Sequence, residues 1–164
     1  MPFVHIRVAG RPLSGSEIQT LQAGATTLMA CIMRKKAELT AVLVEQPVIG
    51  GWSIGGNPVP LAAHLDVKVT AGTNTDDEKA AFVEQAHRLL KDVIGSTLPL
   101  ATYVVIDEIA SDAWGYDGRT QAYRRVTPEG VMKQPQRSPH DGLSVIAVAI
   151  RDAVRLLTFQ PSRQ

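Results

Sequence analysis

A chain of 164 residues with 45% apolar side chains can bury a core of its own and is too apolar to stay disordered. Its formal net charge of +1, with basic residues spread along the sequence, excludes the electrostatic footprint of a nucleic-acid or anionic-membrane binder. No run approaches the roughly 20 apolar residues of a membrane span or the apolar core of a signal peptide, and a single cysteine forms no internal disulfide, so a reducing cytoplasm is expected.

Residues 2–10 alternate, with Val4, Ile6 and Val8 on one face, and predict a strand that stops at a glycine. Ser14-Gly15-Ser16-Glu17 has the spacing of a capping box, in which hydroxyl and carboxylate satisfy exposed backbone donors reciprocally. Ile18, Leu21, Ala25, Leu28 and Ile32 then recur at helical spacing. Cys31, among Leu28, Met29 and Ile32, reads as a small buried hydrophobe. A second strand follows at Thr40–Glu45, then an aromatic-glycine hairpin, Trp52-Ser53-Ile54-Gly55-Gly56. Asn57 to Leu61, with Pro58 and Pro60, reads as a linker.

The pattern then repeats. Residues 63–72 alternate through Leu65, Val67 and Val69, and Thr75-Asp76-Asp77-Glu78 is a second capping box. Phe82, Ala86, Leu89 and Val93, with Val83, Leu90 and Ile94 beside them, mark a helix. Thr102–Asp107 is the matching strand and Trp114-Gly115-Tyr116-Asp117-Gly118 the matching hairpin. Two tandem β-α-β units, 2–56 and 63–122, predict an α/β (α+β) fold: one four-stranded sheet with both helices on one face. The opposite face is expected to be apolar and uncovered, which requires an oligomer. The extension 123–164, counted within one 1–164 domain, holds a polar, proline-rich loop at 127–140 and an amphipathic helix at about 141–157.

The Met1-Pro2 start, the strand of Val4, Ile6 and Val8, and the following Gly10-Arg11 resemble the opening of 4-oxalocrotonate tautomerases. Leu39-Thr40, Val42 and Trp52–Gly56 look like the remainder of one such short subunit. Asp112-Ala113-Trp114-Gly115-Tyr116 is similar to the fused members, the malonate semialdehyde decarboxylases and cis-3-chloroacrylic acid dehalogenases. The resemblance covers roughly residues 2–122. It implies a homotrimer of fused units, a small carboxylic acid substrate, Pro2 as catalytic base, and no metal or organic cofactor.

The chemistry of Pro2 is sound if Met1 is removed. A free α-amino group titrates at about 7.7–8.0, and an apolar, cationic setting lowers that value further, towards the working pH of a proton shuttle. The same secondary amine can attack a carbonyl. With Met1 attached the nitrogen is an amide without basicity, and Pro2 is then only a residue tolerated at a strand start.

Arg11 matches the carboxylate-binding arginine of the short enzymes, which suits a bidentate contact. In fused members such arginines usually come from the second half, where this chain has Thr70 and Thr73; Arg11 then lines the degenerate pocket near Ala63, or is a solvated loop residue. The second substrate arginine falls at Leu43 and Tyr103. Tyr103 either offers its hydroxyl to a carbonyl or enolate oxygen or packs as a strand aromatic. Trp114 is a pocket wall or core. Arg119, or Arg124 and Arg125, supply a cation or form a solvated face.

His5, His64, His87 and His140 lack metal-ligand spacing, and the glycine pairs do not form a phosphate loop. The missing paired arginines argue against dehalogenase or decarboxylase chemistry. A catalytically silent trimeric binding or scaffold protein is the alternative to a tautomerase moving a proton in a small 2-oxo or enol acid.

Overall fold

The computed structural model describes residues 2–48 and 51–126. All of these belong to the first of two units into which the chain divides, Met1–Pro128. The expected loop at 127–140 and helix at 141–157, together with Met1, Gly50 and His140, lie outside the described residues.

The two β-α-β units are present. Strand β1 (Phe3–Ala9), helix α1 (Gly15–Cys31) and strand β2 (Ala41–Glu45) precede a hairpin of β3 (Ser53–Ile54) and β4 (Asn57–Pro58). Strand β5 (Ala62–Thr70), helix α2 (Asp76–Ile94) and strand β6 (Tyr103–Ile109) repeat the order. A hairpin of β7 (Gly115–Tyr116) and β8 (Arg119–Thr120) follows, and then a short helix α3 (Gln121–Val126). Asn57–Pro58 is therefore half of a hairpin, not linker as its prolines suggested. Gly55-Gly56 has positive φ at both positions, and this two-residue turn closes onto whatever follows it.

The sheet runs β2-β1-β5-β6. Each crossover helix makes its own strand pair parallel, whereas β1 and β5 meet antiparallel and join the units at the centre. Both predicted capping boxes form, Ser14 with Glu17 and Thr75 with Glu78. The helices cover one face: Leu21, Ala25 and Met29 of α1 and Phe82, Ala86, Leu90 and Ile94 of α2 pack on Val4, Ile6, Val8, Leu65, Val67 and Val69. Gly24 faces Leu89 across the helix pair, so close that an added Cβ would stand 2.7 Å from its side chain. No described helix is long and apolar enough to cross a membrane.

Two expectations are corrected. Cys31 is exposed, because Met29 takes the inward position and two further residues turn the helix through roughly 200°. The uncovered face of the sheet is mixed rather than simply apolar: Phe3, Leu43, Tyr103 and Val105 lie there, but a charged cluster occupies its middle. Strand alternation sends His5 and Arg7 of β1, His64, Asp66 and Lys68 of β5, Glu45 of β2 and Asp107 of β6 to that side. Asp66, only 7% exposed, sits among Lys68 Nζ (2.9 Å), His5 Nδ1 (3.7 Å), Arg7 Nη1 (3.7 Å) and His64 Nδ1 (3.8 Å). His5 Nε2 also reaches Glu45 at 2.7 Å, and Lys68 reaches Asp107 at 3.2 Å.

Candidate active site

The register sorts the candidate residues to two ends of the sheet. Pro2 precedes β1, and its carbonyl accepts the N–H of Ala41 at the start of β2 (3.3 Å). Because β5 runs against β1, the ends of β5 and β6 come to this same edge. The Pro2 side chain is fully buried.

A cation that the sequence reading passed over lies at this edge. Lys35 precedes the turn Ala37–Leu39 that leads into β2, and its ammonium donates to Thr73 Oγ1 (2.8 Å) just beyond β5. Thr73 spends its own hydroxyl proton on the Thr70 carbonyl (2.6 Å), which leaves its oxygen free to accept. The two threonines that bring no charge thus help hold one. Burial pushes the Lys35 ammonium below its ordinary value, with the charges of Arg34 and Arg125 acting in the same direction. Lys35 was missed because it lies in a connection without periodicity; the signal is a lysine a few residues upstream of a strand that pairs with the N-terminal one.

Trp114 and Arg119 come together. They share a cleft of about 340 Å³ with Tyr116 and Thr120 along the second hairpin. The turn Asp117-Gly118 has positive φ at both residues and matches Gly55-Gly56. Gly115 has no room for a side chain, since a Cβ would stand 2.0 Å from the Arg119 carbonyl oxygen. Arg119 lies 5.4 Å from the centre of the Tyr123 ring, and Arg124 lies 3.9 Å from that of Tyr116. Both arginines therefore pack on aromatic faces.

Tyr103 and Arg11 stand at the other end. Tyr103 pairs with His64, which pairs with Arg7, so it is separated from Pro2 of its own chain by roughly 17 Å along the strands. It is 66% exposed. Arg11 follows β1 and lines a cleft of about 450 Å³ with Val8, Gly10, Gln46 and Val48. Val8 pairs with Ala63, so this is the end of the residue that takes the proline's place in the second half. Its guanidinium is heavily engaged, with Glu17 at 2.6 Å and the α2 carbonyls of Val93 and Ile94 at 3.2 and 3.0 Å. The Arg11 contact holds Glu17 down at about 2, helped by the Ser14 backbone N–H.

The family described as "Tautomerase enzyme" matches residues 64–122, the second unit. The Probable tautomerase K2 of Dickeya dadantii (strain 3937) is 32% identical over 59 residues, which are 36% of this chain and 88% of that protein. The chain belongs to the tautomerase family. Among solved structures it is similar to a native fused 4-OT, with a TM-score of 0.64 and 21% identity over 75% of this chain and 98% of that one. A fused 4-OT described as a wild-type asymmetric trimer gives 0.62 at 22% identity, covering 73% and 97%. The macrophage migration inhibitory factor-like protein of Entamoeba histolytica gives 0.61 at 18% identity, again covering 73% and 97%. These likenesses place the described sheet and helices in the fold of that family.

Proposed function

We propose that this chain is a tautomerase that moves a proton within a small 2-oxo or enol carboxylic acid, with the free amine of Pro2 as base once Met1 is removed. The observation that carries the reading is that Pro2, buried at the head of β1, and the partly desolvated ammonium of Lys35, held on Thr73 just beyond β5, stand at the same end of the sheet. Burial disfavours the charged form of an amine, which suits it to serve as a base. In the forward step the Pro2 nitrogen takes a proton from the carbon α to the carbonyl, and the electron pair moves onto the carbonyl oxygen. Lys35 stabilises the enolate so formed. The proton then returns from Pro2 to a different atom of the same framework.

Trp114 forms the apolar wall and Arg119 the cationic rim of the neighbouring cleft. Tyr103 serves the Pro2 of another copy, because its exposed hydroxyl is too far from Pro2 in its own chain. This division supports a homotrimer in which sites are completed between subunits. Arg11, tied to Glu17 and to the end of α2, belongs to the pocket at Ala63.

A second reading is a silent scaffold of the same fold. One observation favours it: the family match falls on the half that begins beyond Ala63, where no proline stands. The intact mass of protein expressed from its own start codon, followed by ketonisation kinetics of a small enol acid, separates the two. A mass short by one methionine and a loss of about 100-fold or more in kcat on Pro2→Ala are expected. Retained Met1, or an unchanged rate in the variant, makes the scaffold the better account.

A further inference from the structure

The second hairpin and α3 carry three buried N–H groups that have no hydrogen-bond partner among the described residues: Trp114 Nε1, Gln121 Nε2 and Arg124 Nε. The chain brings their residues together. The Gln121 N–H donates to the Trp114 carbonyl across the foot of the hairpin (3.0 Å), and Arg124 follows one turn later on the same side of α3. Arg124 is held over the Tyr116 ring while its Nη2 donates to the Tyr116 carbonyl (3.0 Å) and to the exposed Asp117 carboxylate (3.3 Å). Those contacts orient the guanidinium and leave its Nε edge unused. Buried donors are costly to leave unmet, so three of them on residues joined by the hairpin foot and one helical turn call for an acceptor.

The internal repeat provides a comparison within the same molecule. Val59 donates to the Trp52 carbonyl (2.9 Å) as Gln121 does to Trp114. Beyond that point the first half runs into β5, and Val59 and Ala62 stand where the second half has Gln121 and Arg124. The tryptophan is common to both halves, but Gln121 and Arg124 belong to the second half alone and are not required to build the hairpin.

We infer that Trp114, Gln121 and Arg124 form a subsite for the carboxylate of a small ligand. Three N–H donors, one of them on a cation, match an acceptor-only anion, whose two oxygens offer about four lone-pair positions. The inference rests on the tautomerase reading for the class of ligand and adds where the acid group is held.

The test is a titration of the full-length protein with pyruvate, followed by the indole N–H resonances of its two tryptophans, which Trp52→Phe assigns. The Trp114 resonance should shift saturably while that of Trp52 stays in place and reports an intact fold. Pyruvamide, with no carboxylate, should leave both unmoved. Arg124→Lys keeps the charge but removes Nε, and it should weaken pyruvate binding about tenfold, as should Gln121→Leu. A Trp114 resonance that ignores pyruvate, or moves equally with pyruvamide, overturns the subsite. So does unchanged affinity in both variants. Saturable binding without turnover would sink the proposed activity and leave the subsite standing, whereas turnover with a silent Trp114 would do the reverse.

Discussion

In the proposed mechanism a single loop side chain, Lys35, supplies the charge at the strand-end site. Its ammonium is partly desolvated, which strengthens its attraction for a developing negative charge, and the Thr73 hydroxyl fixes where it points. Replacement by methionine keeps the length and removes the charge. It should lower kcat for enol-acid ketonisation about 100-fold with an unaltered circular dichroism spectrum. A change in KM alone would instead mean that Lys35 only helps to bind. Because its ammonium titrates below the ordinary lysine range, activity should fall on the alkaline side at lower pH than a solvated lysine would allow. Cys31 offers a simpler check at the same scale. Being exposed, it should react with a thiol reagent in the native protein, and Cys31→Ser should change stability by no more than about 0.5 kcal/mol.

The helices carry their start signals in the sequence, and those signals have a pH signature. Glu17 and Glu78 are both held at about 2, the first by Arg11 and the second by Arg34, with the capping N–H groups adding to each. A carboxylate depressed in the folded state contributes stability above its ordinary value of 4.5, and that contribution drains away as pH falls from there towards about 2. Thermal melts should therefore drop through this window, and the drop should be shallower in Glu17→Gln and Glu78→Gln. Equal slopes would mean that the pairs do not persist in solution.

Capping boxes, alternation and two-residue glycine turns are local, so both β-α-β units and the turns of both hairpins were legible from the residues alone, whereas the prolines of Asn57–Leu61 hid the second strand of the first hairpin. Gly115 is more demanding than the turn glycines, and Gly115→Ala should open the second hairpin, seen as faster amide exchange at Thr120. The candidate site was only partly legible. Pro2, Trp114 and Arg119 were nameable, yet nothing local reveals that Tyr103 and Pro2 lie at opposite sheet ends, which depends on the antiparallel join of β1 and β5. Lys35 carries no pattern at all. The charges on the uncovered face are present in the alternation of His5, Arg7, His64, Asp66 and Lys68, but that they cluster depends on the cross-strand register of β1 and β5.

For the whole molecule, the uncovered face has two consequences. Asp66 balances Lys68 and Arg7 in a nearly buried position, so Asp66→Ala should cost on the order of 1–3 kcal/mol by denaturant unfolding. The charged middle of that face is poorly suited to dry packing and should keep water against it in the proposed trimer, while the exposed Leu43 and Tyr103 are the apolar surface it offers a partner. The central claim is that the amine of Pro2 is the base, and blocking that amine without touching any side chain tests it most directly. The measurement compares the rate of enol-acid ketonisation by protein beginning at Pro2 with that of protein carrying one uncleavable residue ahead of it. The account predicts that the blocked chain falls to the uncatalysed background while keeping its fold. A blocked chain that is as fast as the free one would contradict it.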